Sequence, residues 1–214
     1  MSTRPVIKDK WKAKRWYEVV APEIFGGISL GTIPSDDPDK LIGRVMETTL
    51  YDLTGDITQV HVKLYFQIVK VEGDRAYTRF KGHELARDYM KSLVRRKSSK
   101  VQGIFDVQTR DGYVLRITIV SLTSYRCKTS QKRAIRRVVG DYILQKAAEL
   151  TLSELIQEVL KGSISNDIAE RARKVYPVRR VEVYKTKLLM IPTPEGPRPA
   201  VVVSPIQLKR ATPS

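Results

Sequence analysis

The sequence predicts an α+β fold: an antiparallel β-barrel-like core with several packed helices, a basic N-terminal arm and an extended C-terminal tail. Three observations carry that expectation. Val60, Val62, Leu64, Phe66 and Ile68 alternate with His61, Lys63, Tyr65 and Gln67, the period-two pattern of a half-buried strand. Thr54-Gly55-Asp56, Gly73-Asp74 and Asp111-Gly112 separate β-rich runs, and Asp-Gly marks a hairpin because a type I′ turn needs positive φ. Beyond residue 128 the apolar period lengthens to that of helices, with Ile135, Val138, Val139, Tyr142, Ile143 and Ala147 on one stripe.

Residues 1–15 read as an arm: Lys8, Lys10, Lys12 and Lys14 alternate around Trp11 and end at Arg15, with no core-forming period. Residues 16–191 read as a single globular domain, and 192–214 as a proline-rich tail with a short extended piece at Val201–Val203. Within the domain, Trp16, Tyr17, Val19 and Val20 form a first strand stopped at Pro22. Gly26 to Gly31 is a flexible connection and Ser35 to Asp39 a turn cluster. A strand from about Arg44 to Leu53 then turns at Gly55 into the alternating strand, which turns at Gly73 into Arg75–Phe80. Glu84 to Arg96 reads as a helix through Leu85, Tyr89 and Leu93. Ile104–Thr109 and Tyr113–Leu122 form the next hairpin. Thr129 or Ser130 caps a helix from Gln131 to about Leu150 and Thr151 opens another that Gly162 ends. Ser165 or Asn166 caps a third, stopped at Tyr176-Pro177. Val181, Val183 and Leu188 to Ile191 form the last strand.

Composition narrows the function. The 214 residues carry 39 Lys and Arg against 23 Asp and Glu, a net charge of +16, and hydrophobic residues make up 42%. That is enough for a core and too basic to be neutral toward polyanions. No apolar run reaches the ~18 residues of a membrane span, and the first residues lack the apolar stretch of a secretory signal. Cys127 is the only cysteine, which excludes an intrachain disulfide and fits a reducing, cytoplasmic location. The charge is also segmented. Residues 1–15 net +5, 87–100 net +5, 126–137 net +6, 171–187 net +6 and 207–214 net +2, leaving −8 for everything else. A solubility device would spread its charge, whereas this is a mildly acidic body with basic segments set into it.

Enzyme chemistry finds little support. Gly26 and Gly31 have phosphate-loop spacing but are followed by Thr32-Ile33 rather than Lys-Ser/Thr. His61 and His83 are the only histidines and are expected to pack rather than catalyse. Asp36, Asp37 and Asp39 fit a solvated turn better than a metal site, though a carboxylate-held metal in an RNA-processing enzyme is the alternative function they leave open. No cofactor, metal or small-molecule substrate is expected. The candidate RNA contacts are Lys8, Lys10, Trp11, Lys12, Lys14 and Arg15 on the arm and Arg95, Arg96 and Lys97 after the first helix. Arg126, Lys128, Lys132, Arg133, Arg136 and Arg137 lie around the start of the long helix, and Arg179, Arg180, Lys185 and Lys187 on the last strand. The helix group is the most telling, since cations in the first two turns oppose the helix dipole and a bound anion relieves that conflict.

Five groups of residues, running in order over about 10–190, resemble the ribosomal protein S3Ae family. They are Lys14-Arg15-Trp16-Tyr17-Glu18-Val19 with Ala21-Pro22; Phe80-Lys81-Gly82-His83-Glu84-Leu85 with Arg87-Asp88-Tyr89; Asp106-Val107 with Asp111-Gly112-Tyr113; Lys128-Thr129-Ser130-Gln131 with Arg133, Ile135 and Arg136; and Tyr176-Pro177 with Val181. The resemblance implies a non-catalytic component of the small ribosomal subunit, of archaeal type because the chain is compact. It also implies binding to small-subunit rRNA on the platform, near the mRNA exit and the rRNA 3′ end. Neighbouring platform proteins would be partners, mRNA would lie nearby, and no membrane would be involved.

Overall fold

Several of the alternating apolar runs become strands in the computed structural model, which describes Trp11 and residues 14–202. In chain order the elements are β1 (Arg15–Val20), β2 (Ser29–Ser35), β3 (Val45–Thr49), α1 (Leu50–Thr54), β4 (Val62–Glu72), β5 (Arg75–Leu85) and α2 (Arg87–Leu93). They continue as β6 (Lys100–Gln108), β7 (Val114–Thr123), α3 (Thr129–Glu149), α4 (Leu152–Lys161), α5 (Ser163–Arg173), β8 (Val178–Ile191) and β9 (Arg198–Pro199). The mixed α+β class is as expected. Closure is not: the hydrogen-bonded order runs β2-β1-β5-β8-β7-β6, with β3, β4 and β9 off this path, and leaves an open sheet among the described residues. Nor is the sheet wholly antiparallel, because β1 runs parallel to β5, pairing Glu18 with Arg75 and Val20 with Tyr77.

The described chain divides into two compact units, and β4 and β5 each contribute a part to both. The first unit holds the described parts of Met1–Met46, Phe66–Phe80 and Val202–Ser214. There β1 lies between β2 and β5, and its alternation buries Tyr17 and Val19 with Leu41, Ile68 and Ala76. Phe25, Phe66 and Phe80 add an aromatic cluster with ring centroids 5.1–6.3 Å apart. The segment expected as a flexible connection is partly β2, an edge strand, and the edge is where Pro34 is tolerated in a ladder.

The second unit, Glu47–Tyr65 and Lys81–Val201, contains the β6-β7-β8 sheet with α3 on β6 and α5 on β8. Ile117, Ile119, Leu122, Ile135, Ile143, Ile164 and Ile168 are fully buried in this unit, each contributing about 1.5–3 kcal/mol relative to exposure. Phe105 is clasped by two glycines: a Cβ on Gly103 would stand 2.6 Å from its ring and one on Gly140, in α3, 2.7 Å. The clasp lets the long helix approach the sheet.

Several local expectations are revised for identifiable reasons. Thr49 and Asp52 form a capping box, with the Thr49 N–H donating to the Asp52 carboxylate at 2.9 Å, so β3 ends in a helical turn. Gly55 is then a left-handed helix cap with φ 73° rather than a hairpin residue. At Gly112 the hairpin exists, but only the glycine has positive φ, and the Thr109 carbonyl accepts from the Gly112 N–H at 2.9 Å. That is the three-residue turn ending in a left-handed glycine, not type I′. The helix expected from Glu84 starts at Arg87 because β5 continues to Leu85. The third late helix starts at Ser163, next to Gly162, rather than at Ser165 or Asn166. The expected extended piece in the tail falls at Arg198–Pro199; Val201 and Val202 are not in a strand, and Val203 lies outside the described residues.

Candidate nucleic-acid interface

Strand register in the second unit decides which basic segments meet. Lys100, Leu122 and Arg180 share one rung across β6, β7 and β8. Antiparallel order therefore puts the start of β6, the end of β7 and the start of β8 at the same edge of the sheet. Three segments emerge there: 93–100, 123–137 and 171–179. Together they hold fourteen Lys and Arg and no Asp or Glu.

Hydrogen bonds tie the three together. The Ser99 N–H donates to Thr123 Oγ1 at 3.0 Å, and the Thr123 N–H returns to the Ser99 carbonyl at 3.0 Å. Ser99 Oγ also accepts from the Cys127 N–H at 3.2 Å. The Ser124 N–H donates to the Pro177 carbonyl at 3.0 Å, and the Tyr176 hydroxyl to the Arg126 carbonyl at 3.0 Å. Arg179 reaches across to the Leu93 carbonyl. The loops carrying Arg95, Arg96, Lys97, Arg126 and Lys128 are thus braced by backbone and hydroxyl groups, leaving the cationic ends outside the brace. Lys97 has a positive φ of 62°, which turns the chain between the helix and β6.

From this edge α3 departs. It begins at Thr129, the Lys128 N–H is satisfied by Gln131 Oε1 at 2.8 Å, and its first turn contains no acid. Ile135 and Val139 are buried, which leaves Arg133, Arg136 and Arg137 exposed and Lys132 half-buried. Arg136 donates to the Gln102 carbonyl at 2.9 Å, and none of these four forms an ion pair among the described residues. Four cations without an ion pair in the first nine residues of a 21-residue helix repel one another, Lys132 in the first turn also opposes the dipole, and a bound phosphate relieves both.

The cations of β8 are arranged differently. Arg180 binds Glu182 Oε1 at 2.6 Å and the Tyr89 hydroxyl at 2.8 Å. Lys185 binds Glu84 at 2.7 Å, and the Tyr184 hydroxyl donates to the same carboxylate at 3.1 Å. Burial pushes the Glu84 carboxyl up, but Lys185 and Tyr184 outweigh it and hold it below its ordinary value. Lys187 is exposed on the rung with Gly82 and Arg116. In the first unit, Trp11 and Trp16 are exposed, their rings perpendicular at 6.5 Å, and the Lys14 ammonium lies 4.3 Å from the Trp11 ring, beside Arg15. Lys8, Lys10 and Lys12 lie outside the described residues.

Arg171, Arg173 and Lys174 were passed over among the candidates. Cations ending a helix before Tyr-Pro resemble ordinary capping, and contacts distant in sequence join them to the edge: those of Tyr176 and Pro177, with Arg173 donating to the Val178 carbonyl at 3.3 Å. His83 is a packing residue: fully buried, its Nδ1 lies 2.7 Å from Thr186 Oγ1 and its Nε2 3.1 Å from the Val183 carbonyl. Burial pushes its pKa down to about 4. Asp36 and Asp37 face the Lys40 ammonium at 3.8 and 2.6 Å, and among the described residues no group of three His, Cys, Asp or Glu converges on a metal position.

The chain is similar to known proteins along almost its whole length. The model of the ribosomal S3Ae family matches residues 3–192. The small ribosomal subunit protein eS1 of Desulfurococcus amylolyticus is 74% identical over 206 residues, spanning 96% of this chain and 97% of the relative. The proteins of that name from Staphylothermus marinus and Aeropyrum pernix are 70% and 62% identical, each over 95% of this chain and 96% and 97% of their own lengths.

Proposed function

The chain belongs to the ribosomal S3Ae family, and from that premise we propose that the convergent basic edge of its β6-β7-β8 sheet binds folded rRNA of the small subunit. It is a ribosomal structural protein of archaeal type, not an enzyme, and its place is the small ribosomal subunit in the cytoplasm. The observation that carries the rRNA reading is the meeting of three acid-free segments, far apart in sequence, at one sheet edge. Phosphates positioned against such an edge are held by charge and by backbone N–H groups without any base being read, which suits recognition of RNA by shape.

The finer placement follows the resemblance: the platform, near the mRNA exit and the rRNA 3′ end, beside neighbouring platform proteins and passing mRNA. The arm 1–15 and the tail 192–214 are read as extensions from a domain of residues 16–191, the arm adding RNA contacts through its lysines and Trp11. The alternative of a metal-dependent RNA-processing enzyme is not carried forward. The family is one of ribosomal structural proteins, and two of the carboxylates it would use, Asp36 and Asp37, turn toward Lys40.

Sedimentation tests the reading. The chain is expected to travel with purified small subunits on density gradients through moderate salt, because many phosphate contacts must be lost together. Release at low salt, or absence from purified small subunits, overturns it.

A further inference from the structure

Beside the basic edge lies a cavity of about 460 Å³ lined by Arg87, Met90, Lys91, Val94, Lys100 and Tyr184, within the ~300–1,000 Å³ range of small-ligand pockets. Its lining has three cations and no carboxylate; Glu84, outside the lining, acts on Arg87 but is engaged by Lys185 and the Tyr184 hydroxyl. Arg87 and Lys91 stand one turn apart on α2, Lys100 is the first residue of β6, and none of the three forms an ion pair among the described residues. Met90 and Val94 supply apolar surface and Tyr184 an aromatic ring.

Tyr184 is there because of a strand irregularity. Thr118 pairs with Lys185 and Ile119 with Val183, so Tyr184 is the extra residue of a β-bulge. A bulge takes its residue out of the alternation and re-aims the side chain. The hydroxyl, held by Glu84 at 3.1 Å, then fixes the ring. The Lys100 ammonium lies 5.9 Å from the ring centroid, near the outer limit of a cation–π contact. It is therefore free to move onto a phosphate while a flat group takes the ring face.

A second cavity of similar volume, about 460 Å³, lies between His61, Tyr89, Arg180 and Glu182. Its one cation is neutralised by Glu182, and the buried His83 in its lining is uncharged, so it offers nothing to an anion.

We propose that the Tyr184 cavity binds a single unpaired nucleotide extruded from RNA, its base on the Tyr184 ring and its phosphates on Arg87, Lys91 and Lys100. The proposal rests on the rRNA-binding reading and adds a subsite to it. Aromatic and apolar surface alone would suit many partners, and cations alone any phosphate. Their combination, without a carboxylate, fits a nucleotide.

The test uses the full chain and two hairpin RNAs with the same stem, one carrying a single bulged nucleotide. The wild type is expected to bind the bulged RNA about tenfold more tightly. Tyr184→Leu is expected to abolish the preference without weakening binding to the unbulged RNA, while Tyr184→Phe retains it. Lys91→Ala with Lys100→Ala should lower the salt slope for the bulged RNA by about 1.4. Equal wild-type affinity for the two RNAs, or an undiminished preference in Tyr184→Leu, removes the subsite and leaves rRNA binding by the sheet edge standing. Loss in both Tyr184 variants assigns the effect to the Glu84 contact and overturns the stacking role. A deca-glutamate peptide that displaces the bulged RNA from the wild type, and binds more weakly to Tyr184→Leu, makes the occupant an acidic protein segment instead. Failure of the wild type to bind either RNA removes the underlying reading as well.

Discussion

The start of α3 and the middle of β8 carry similar charge in the sequence and opposite arrangements in the structure. Arg133, Arg136 and Arg137 are exposed in the first half of α3 and form no ion pair among the described residues. Arg180 and Lys185 each close onto a partly buried glutamate, with Tyr89 and Tyr184 completing the contacts. The first arrangement is unfavourable until an anion arrives, and the second is already satisfied. A count of Lys and Arg gives the supply of charge; the pairing decides where it is available to an anion.

The sharpest way to break this contrast is to neutralise each side in turn. Replacing Arg133, Arg136 and Arg137 with Ala is expected to lower the slope of log K against log salt by about 2.7, and affinity at 0.1 M salt by several-hundred-fold (~500-fold). Replacing Arg180 with Ala should change the slope by less than about 0.5 and instead cost roughly 1 kcal/mol of stability, because Glu182 loses its partner. Salt titrations of rRNA binding and denaturant unfolding measure the two effects. A β8 substitution as damaging to RNA binding as the α3 set would erase the distinction.

The anchoring of β8 can be probed by pH. His83 is buried and neutral, with its pKa pushed down to about 4 from the ordinary 6.5. Below 6.5 the unfolded chain takes up a proton that the folded chain refuses, so stability falls as pH drops from 6.5 toward 4. The loss approaches about 3 kcal/mol at the lower end. His83→Gln should lose this part of the pH dependence. Unfolding curves at pH 7, 6 and 5 with equal slopes in both proteins would show that the imidazole is not held neutral.

A smaller effect is expected where α3 meets the sheet. Gly140→Ala places a methyl 2.7 Å from the Phe105 ring. The resulting overpacking, offset in part by alanine's better helix propensity, should destabilise by about 1 kcal/mol. RNA affinity should fall with it only if the clasp also sets the position of the basic helix face. Unchanged stability would mean that Phe105 moves aside freely.

Much of this was legible in the residues. The alternating run became β4 from Val62 onward, with Val60 and His61 left in the preceding turn; the stripe Ile135–Ala147 became the buried face of α3, and Thr151 and Gly162 bounded α4 as expected. Where local reading misled, a competing local rule was present: Thr49 and Asp52 spelled a capping box across a supposed strand. The last strand was harder. Its buried residues Val178, Val181, Val183, Thr186 and Leu188 break period two because Arg179, Tyr184 and Leu189 are extra residues opposite β7. No bulge can be counted without knowing the partner strand.

The sequence by itself therefore determined the class of the fold, the segmented excess of positive charge and, through the resemblance, the family. The first two follow from periodicity and composition, and the family from ordered short motifs, all properties of neighbouring residues. Tertiary structure alone decided that β8 returns beside β7 after three intervening helices, and so that segments 93–100, 123–137 and 171–179 share one edge. It also decided which cations were neutralised on the way. The physical reason is that strand pairing and ion pairing join residues tens of positions apart, and register, bulges and side-chain reach are specified by packing rather than by local pattern.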